Sequence, residues 1–350
     1  MSWQYLKSWQ VALTYAGTVI GAGFASGQEL LLFFASYGTL GLFGIILAGF
    51  LFMYLGNRIL DIAFYIQAIG YHQIFQAVCG KRLGHFYSSL SALFLLTSLA
   101  IMLAGAGAIG SEYFDWPPYQ GILLLALALF VTTLFGATAL MMVNCLLTPL
   151  FIIMILFVGI LSLLYHGIHP ALLSVTPTVA IQPTPHWALS SVLYVAYNMI
   201  LASTILAPLG AKTPNPKVRQ TGSLLGGLLL TLVACFIILI IMLHYPEAFT
   251  TQVPMLYIAS AQHPYSYGAY VVILLAAMYT TGLASLYGCS VYLSSSWPIS
   301  ARKSALSILF ICLICSQVGF SALITAAFPI FGLATLWFII RLVCYGHLNN

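Results

Sequence analysis

The sequence predicts an all-α polytopic membrane protein with ten transmembrane helices, arranged as two inverted repeats of five. Three observations carry that prediction. The chain of 350 residues is 62% apolar and only 4% charged, where an ordinary soluble domain is roughly a quarter charged. Its apolar stretches recur at about the 20 residues a helix needs to cross a bilayer. When those stretches are threaded back and forth, all ten basic residues fall on one side. A soluble enzyme is excluded by composition. The formal charge of +5 does not mark a nucleic-acid partner, because the basic residues are scattered at segment ends.

In chain order, the first span covers residues 9–34, with a break at 21–23, and Tyr37-Gly38 turns the chain. Span 2 is 40–63. The aromatic, polar stretch 65–81 reads as an amphipathic helix on the membrane surface. Span 3 is 85–110, Trp116-Pro117-Pro118 makes an interfacial turn, and spans 4 and 5 are 119–135 and 139–165. The stretch 166–186, with Pro170, Pro177, Pro183 and Pro185, divides the chain near its middle. Span 6 is 187–209 and span 7 is 218–244. The loop 245–265 carries a short helix over 254–262, and spans 8, 9 and 10 are 267–294, 304–318 and 322–344.

Placing the N-terminus inside puts Lys7, Arg58, Lys81, Arg82, Lys212, Lys217, Arg219, Arg302, Lys303 and Arg341 on the cytoplasmic side. Glu112, Asp115 and Glu247 then lie outside. The expectation is a multi-pass protein of the cell membrane with both termini cytoplasmic. Lys7 followed by an apolar run imitates a signal peptide, but the run continues into a second span, so it reads as the first membrane helix.

Five spans, a Pro-rich linker and five more make one transmembrane domain over 1–350, with repeats at about 9–165 and 187–345 and the linker 166–186 between them. Five is odd, so the second repeat runs upside down relative to the first. Inverted repeats with interrupted helices are a transporter plan. Span 6 is the counterpart of span 1: Trp187 opens it as Trp9 opens the first, and Tyr197-Asn198-Met199 stands opposite the glycine break. A break in span 6 is expected at Asn198, Ser203 and Thr204, although no glycine is present there.

The stretch Ala16-Gly17-Thr18-Val19-Ile20-Gly21-Ala22-Gly23-Phe24-Ala25-Ser26-Gly27-Gln28-Glu29 is where function is expected. Glycine is poor in a helix interior. Gly17, Gly21, Gly23 and Gly27, followed by Gln28 and Glu29, predict a helix that opens in the membrane. An opened helix at that depth is tolerated only where its freed backbone faces protein, water or ligand. The upper half would present amides near Ala22 to an anion. The lower half would present carbonyls such as those of Gly17 and Ile20 to a hard cation. Ala277-Met278-Tyr279-Thr280-Thr281 in span 8 offers a carbonyl and two hydroxyls within a turn. These become a cation site only if span 8 faces the break; otherwise the hydroxyls bond back to their own helix.

The run from Gly17 to Glu29 resembles the signature of the YkvI-type family of amino-acid permeases, in the amino acid–polyamine–organocation superfamily with the LeuT fold. Tyr197-Asn198 followed by Ala207-Pro208-Leu209-Gly210 is consistent with it. The resemblance implies a sodium ion held by the carbonyls of Gly17, Ile20 and Ala277 and the hydroxyls of Thr280 and Thr281. It also implies a substrate carboxylate on the Ala22 and Gly23 amides.

Glu29 is the one acid placed in the outer half of the membrane, with no Lys or Arg on that side. It is protonated, or binds a cation or substrate amine, or faces a water-filled vestibule; an unpaired charge there is costly. Thr18, Gly21, Ser98, Met102, Tyr194, Tyr197 and Asn198 join Ala22, Gly23 and Glu29 as expected substrate contacts. Asp61, three residues after Arg58, is expected to pair with it on the helix surface. The seven cysteines, mostly within apolar spans, predict neither disulfides nor a metal site. The expected activity is secondary transport of an amino acid or related small zwitterion, coupled to sodium and needing no other cofactor. A proton-coupled carrier using Glu29 and a non-transporting amino-acid sensor are the alternatives. The lipid bilayer is the expected partner.

Overall fold

The structure is a computed structural model that describes residues 7–133, 137–167, 177, 181–262, 264–296 and 300–345. The first apolar stretch is not one helix but three: α1 (Ser8–Val19), α2 (Ala22–Ser26) and α3 (Gln28–Phe33). Ile20, with ψ at 81°, and the extended Gly21 separate α1 from α2. Gly27, in the left-handed region at φ 80°, separates α2 from α3. A side chain would be strained in that conformation, and a methyl there would also press on Ile241 and Met255.

The remaining helices are α4 (Thr39–Tyr65), α5 (Tyr71–Phe114), α6 (Pro118–Thr133), α7 (Ala137–His166), α8 (Trp187–Ala211), α9 (Pro216–Leu243), α10 (Pro254–Ser260), α11 (Pro264–Ser296), α12 (Ala301–Cys315) and α13 (Phe320–Cys344). Six of them, α4, α5, α8, α9, α11 and α13, are long and apolar enough to cross a membrane. Of the other four expected spans, α6 and α7 carry shorter apolar runs among the described residues, Pro118–Thr132 and Pro149–Tyr165, α12 has 15 residues, and the first is interrupted. Most of the linker 166–186 lies outside the described residues.

α5 bends at Gly80, whose φ of 80° and ψ of 168° divide it into 71–79 and 81–114. The first piece is a helix within the stretch 65–81 that the sequence marked as amphipathic, and is shorter than that stretch. Its Phe75 ring packs 5.0 Å from Phe338. The second piece buries a run of small residues, Ala104 to Gly110, which lets neighbouring backbones approach closely.

The expected break in span 6 does not occur. α8 runs unbroken from Trp187 to Ala211, with Pro208 near its end. The residues expected to open it return their polar groups to their own helix. Asn198 Nδ2 donates to the Tyr194 carbonyl at 3.0 Å, Ser203 Oγ to Met199 at 2.6 Å and Thr204 Oγ1 to Leu201 at 2.7 Å. Back-bonding of this kind keeps hydroxyls and amides satisfied inside a membrane helix without opening it.

One continuous apolar core runs from Val11 to Leu342. α1, α4, α8 and α9 pack on one another, while α5 packs on α6, α11 and α13, and α13 meets α8. The first group is held at one end by a buried ion pair. Arg219 Nε donates to Asp61 Oδ1 at 2.6 Å. Its Nη1 donates to the carbonyls of Thr213 and Pro214, and its guanidinium lies 4.5 Å from the centre of the Phe64 ring. Asp61 thus pairs with Arg219 on α9 and not with Arg58. Arg219, at 3% exposed, is the charge that needs a partner.

Candidate functional site at the interrupted first helix

The break leaves backbone groups of both signs without partners. Ile20 N–H donates to Ala16 and Gly21 N–H to Val19, and then the ladder stops until Ala25 N–H donates to Gly21. Among the described residues no hydrogen bond reaches the carbonyls of Gly17, Thr18 or Ile20, or the amides of Ala22, Gly23 and Phe24. Three acceptors and three donors therefore lie within residues 17–24. An α-helix has no other means of offering both in a bilayer core.

α11 faces this break. A methyl built on Gly21 would stand 3.5 Å from Thr281 Oγ1, so the Thr281 hydroxyl lies against the opened backbone. Thr280 is different: its Oγ1 donates to the Ala277 carbonyl at 3.1 Å and is buried. Of the five groups implied as sodium ligands, the Gly17 and Ile20 carbonyls and the Thr281 hydroxyl are free at the break. The Thr280 hydroxyl and the Ala277 carbonyl are bonded to each other. Among the described residues no three His, Cys, Asp or Glu side chains gather.

Glu29 lies in the first turn of α3 and is 7% exposed. Its Oε2 accepts from the Tyr197 hydroxyl at 2.9 Å. Its Oε1 rests on Gly23: a methyl at Gly23 would overlap the carboxyl group. The chain's own carboxyl thus lies against Gly23 in α2. No Lys or Arg accompanies it; the ion pair among the described residues is Arg219–Asp61, at the end of α4.

Tyr197 sits among rings, with Phe33 and Phe94 at 5.6 Å, Tyr194 at 5.5 Å and Phe328 at 4.9 Å. Tyr194 is buried beside it. Ser98 and Met102 are buried on α5, one and two turns beyond Phe94. Asn198 is buried and bonded to Tyr194 in its own helix. Thr18 turns its hydroxyl back to Thr14 at 2.8 Å, away from a ligand role in this arrangement.

Two relationships escaped the sequence. Tyr197 and Glu29 were separately visible as candidates, but nothing in the pattern joined residues 168 positions apart. Gln28 Nε2 donates to Ser321 Oγ at 2.7 Å, and Ser321 carried no signal beyond lying near the start of the last span.

The fold is that of solved transporters. Mhp1 in an inward facing conformation matches with a TM-score of 0.72 and 16% identity, over 97% of this chain and 76% of that one. A manganese transporter mutant from Eremococcus coleocola matches at 0.65 and 16%, over 96% and 78%. A Na+-coupled sialic acid symporter in a substrate-bound outward-open state matches at 0.59 and 13%, over 96% and 75%. These neighbours are LeuT-fold secondary transporters and not enzymes. No family model matches the chain. It is 32% identical over 341 residues to YkvI, an uncharacterised membrane protein of Bacillus subtilis, covering 96% of this chain and 95% of that one. It is 22% identical over 353 residues to YyaD of the same bacterium, covering 100% and 99%. This chain belongs to the YkvI family.

Proposed function

We propose that this protein is a sodium-coupled secondary transporter of an amino acid or related small zwitterion. The observation that carries the reading is the break itself: unbonded carbonyls below, unbonded amides above, and Thr281 against the gap. Such a site serves a cation and a carboxylate together without any basic side chain. On this reading sodium takes the Gly17 and Ile20 carbonyls with Thr281. Thr280 and Ala277 join when the Thr280 hydroxyl turns from its own helix. The substrate carboxylate takes the Ala22 and Gly23 amides, and its amine lies near Glu29. Tyr194, Tyr197, Asn198, Ser98 and Met102 line the substrate side.

The same reading takes the chain as one domain of ten spans in two inverted repeats, 9–165 and 187–345, in the cell membrane with both termini cytoplasmic. Two packing observations support that orientation. The Arg219–Asp61 pair brings the end of α4 to the start of α9, and the Phe75–Phe338 contact brings the surface helix to the end of α13. The basic residues near these ends then share one side. Alternating access would move α1, α4, α8 and α9 as a body against the other helices.

The test is thermal stability of the purified protein with each amino acid, with and without sodium. A ligand that binds only the folded state raises the melting temperature by mass action. A zwitterion that stabilises only with sodium supports the coupled site; no response to any zwitterion overturns it. One observation favours a second reading, coupling to protons. Glu29 is buried with a tyrosine and no cation. In that case Glu29→Gln abolishes the dependence of uptake on external pH, whereas under sodium coupling the pH profile is unchanged.

A further inference from the structure

Gln28 precedes Glu29 at the start of α3 and is 5% exposed. Its Nε2 donates to Ser321 Oγ across 293 residues of sequence, tying the upper part of the interrupted segment to the start of α13. Its Oε1 is buried without a partner. Buried acceptors are nearly always satisfied, and one that is not invites a functional explanation.

Beyond this bond lies a cavity of about 600 Å³. Ser321 lines it together with Gln252, Gly319, Ala322, Thr325 and Ile181. Its lining among the described residues carries amide and hydroxyl groups and no charge. Behind the bond, every residue from 22 to 36 is buried, so the cavity does not reach Glu29. The other end of the break differs. Thr14 is exposed, and Gly17, Thr18, Gly21 and Thr281 are partly exposed, although Gly21 stands between two helices. The break is therefore less covered by protein at the Lys7 end than at the Ser321 end.

We propose that the Gln28–Ser321 hydrogen bond is the outer gate of the transport route, and that the cavity above it is the entrance vestibule for a small zwitterion. This rests on reading the chain as an alternating-access transporter. The gate opens when Gln28 leaves Ser321. The freed side chain then offers a donor to a carboxylate and an acceptor to an ammonium group, on the doorstep of Glu29 and the break. Gln28 is thus a gating residue that also favours solutes carrying both groups, and the vestibule, lacking charge, does not hold ions of either sign.

The experiment uses the full chain in sealed, right-side-out membrane vesicles. Ser26→Cys places a thiol in α2, below the gate, and its reaction with a membrane-impermeant methanethiosulfonate added outside is timed against the parent chain. Loss of one ordinary hydrogen bond shifts such an equilibrium by about fivefold. Gln28→Ala and Ser321→Ala are each expected to speed labelling by about that factor, and the double variant by no more than either alone, since they remove one shared bond. Unchanged labelling in variants that keep the parent's melting temperature overturns the proposal. In a second measurement, Gln28→Cys with Ser321→Cys is bridged by a short bis-methanethiosulfonate, which spans the length of the lost glutamine side chain and is released by reduction. Uptake should stop and return on reduction; uptake that persists through the cross-link overturns the gate. Labelling that responds as expected while no zwitterion is taken up by the parent chain leaves the gate standing and removes the substrate reading.

Discussion

The Tyr197 hydroxyl donates to Glu29 Oε2 at 2.9 Å and so joins an unbroken helix to an interrupted one. α8 is continuous through Tyr197, while the segment carrying Glu29 is cut at Ile20–Gly21 and again at Gly27. The bond therefore ties the interrupted segment to the continuous helix. Tyr197→Phe keeps the ring packed on Phe33, Phe94 and Phe328 and deletes only the donor. A hydrogen bond is worth about 0.5–1.5 kcal/mol to a neutral carboxyl and about 1.5–3 kcal/mol to a charged one. The expected outcome is a lower melting temperature and uptake reduced by about tenfold or more. Both are measured on purified protein, the second in liposomes. Wild-type values for both would show that this bond holds nothing in place.

Gly23 is required by the carboxyl that lies on it. A methyl there overlaps Glu29 Oε1, and the backbone at Gly23 is ordinary α-helix, so the constraint is space and not conformation. Gly23→Ala is expected to abolish uptake while the protein still folds. Adding Glu29→Asp draws the carboxyl back by one methylene and should restore part of the uptake lost in Gly23→Ala. That recovery is a coupling between residues in contact. Independent losses in the double variant would separate the two residues.

Thr280 and Thr281 are adjacent in sequence but not equivalent. Thr281 lies against Gly21, whereas Thr280 is bonded to Ala277. The sodium dependence of thermal stability distinguishes them. Thr281→Val should raise the sodium concentration needed for half of the stabilisation by about tenfold, which corresponds to about 1.4 kcal/mol of binding. Thr280→Val should have the smaller effect, since its hydroxyl must first leave its own helix. Equal effects would mean that both hydroxyls turn to the ion.

Much of the fold was legible because a bilayer enforces it. Apolar length placed α4, α8, α9, α11 and α13 within a few residues of their observed bounds, whereas the bend at Gly80 was not read from the sequence. The interruption of the first helix was legible from its glycines. The absence of one in α8 was not, because Asn198, Ser203 and Thr204 serve either an opened helix or a closed one by bonding back. Sequence places residues along a helix but does not say which helix they face. That is why Asp61 was matched with its neighbour Arg58 when its partner is Arg219, and why the Glu29–Tyr197 and Gln28–Ser321 bonds had no signature.

The Arg219–Asp61 pair yields the last prediction. Arg219 is 3% exposed and Asp61 is 26% exposed. Asn57 also donates to Asp61, at 3.0 Å. Removing one member of a buried pair leaves an uncompensated charge and costs about 3–5 kcal/mol; the partial exposure of Asp61 places this pair at or below the lower end. Asp61→Asn strips the charge from opposite Arg219 while keeping the shape. It should therefore lower the melting temperature more than Arg219→Met, which removes the buried charge and keeps most of the stem that packs on Phe64. The loop at Thr213 and Pro214, held by the same guanidinium, should become sensitive to protease in Arg219→Met at temperatures where the parent resists. If Asp61→Asn proves the milder change, the pair is a surface contact and the four-helix body is held at that end by apolar packing alone.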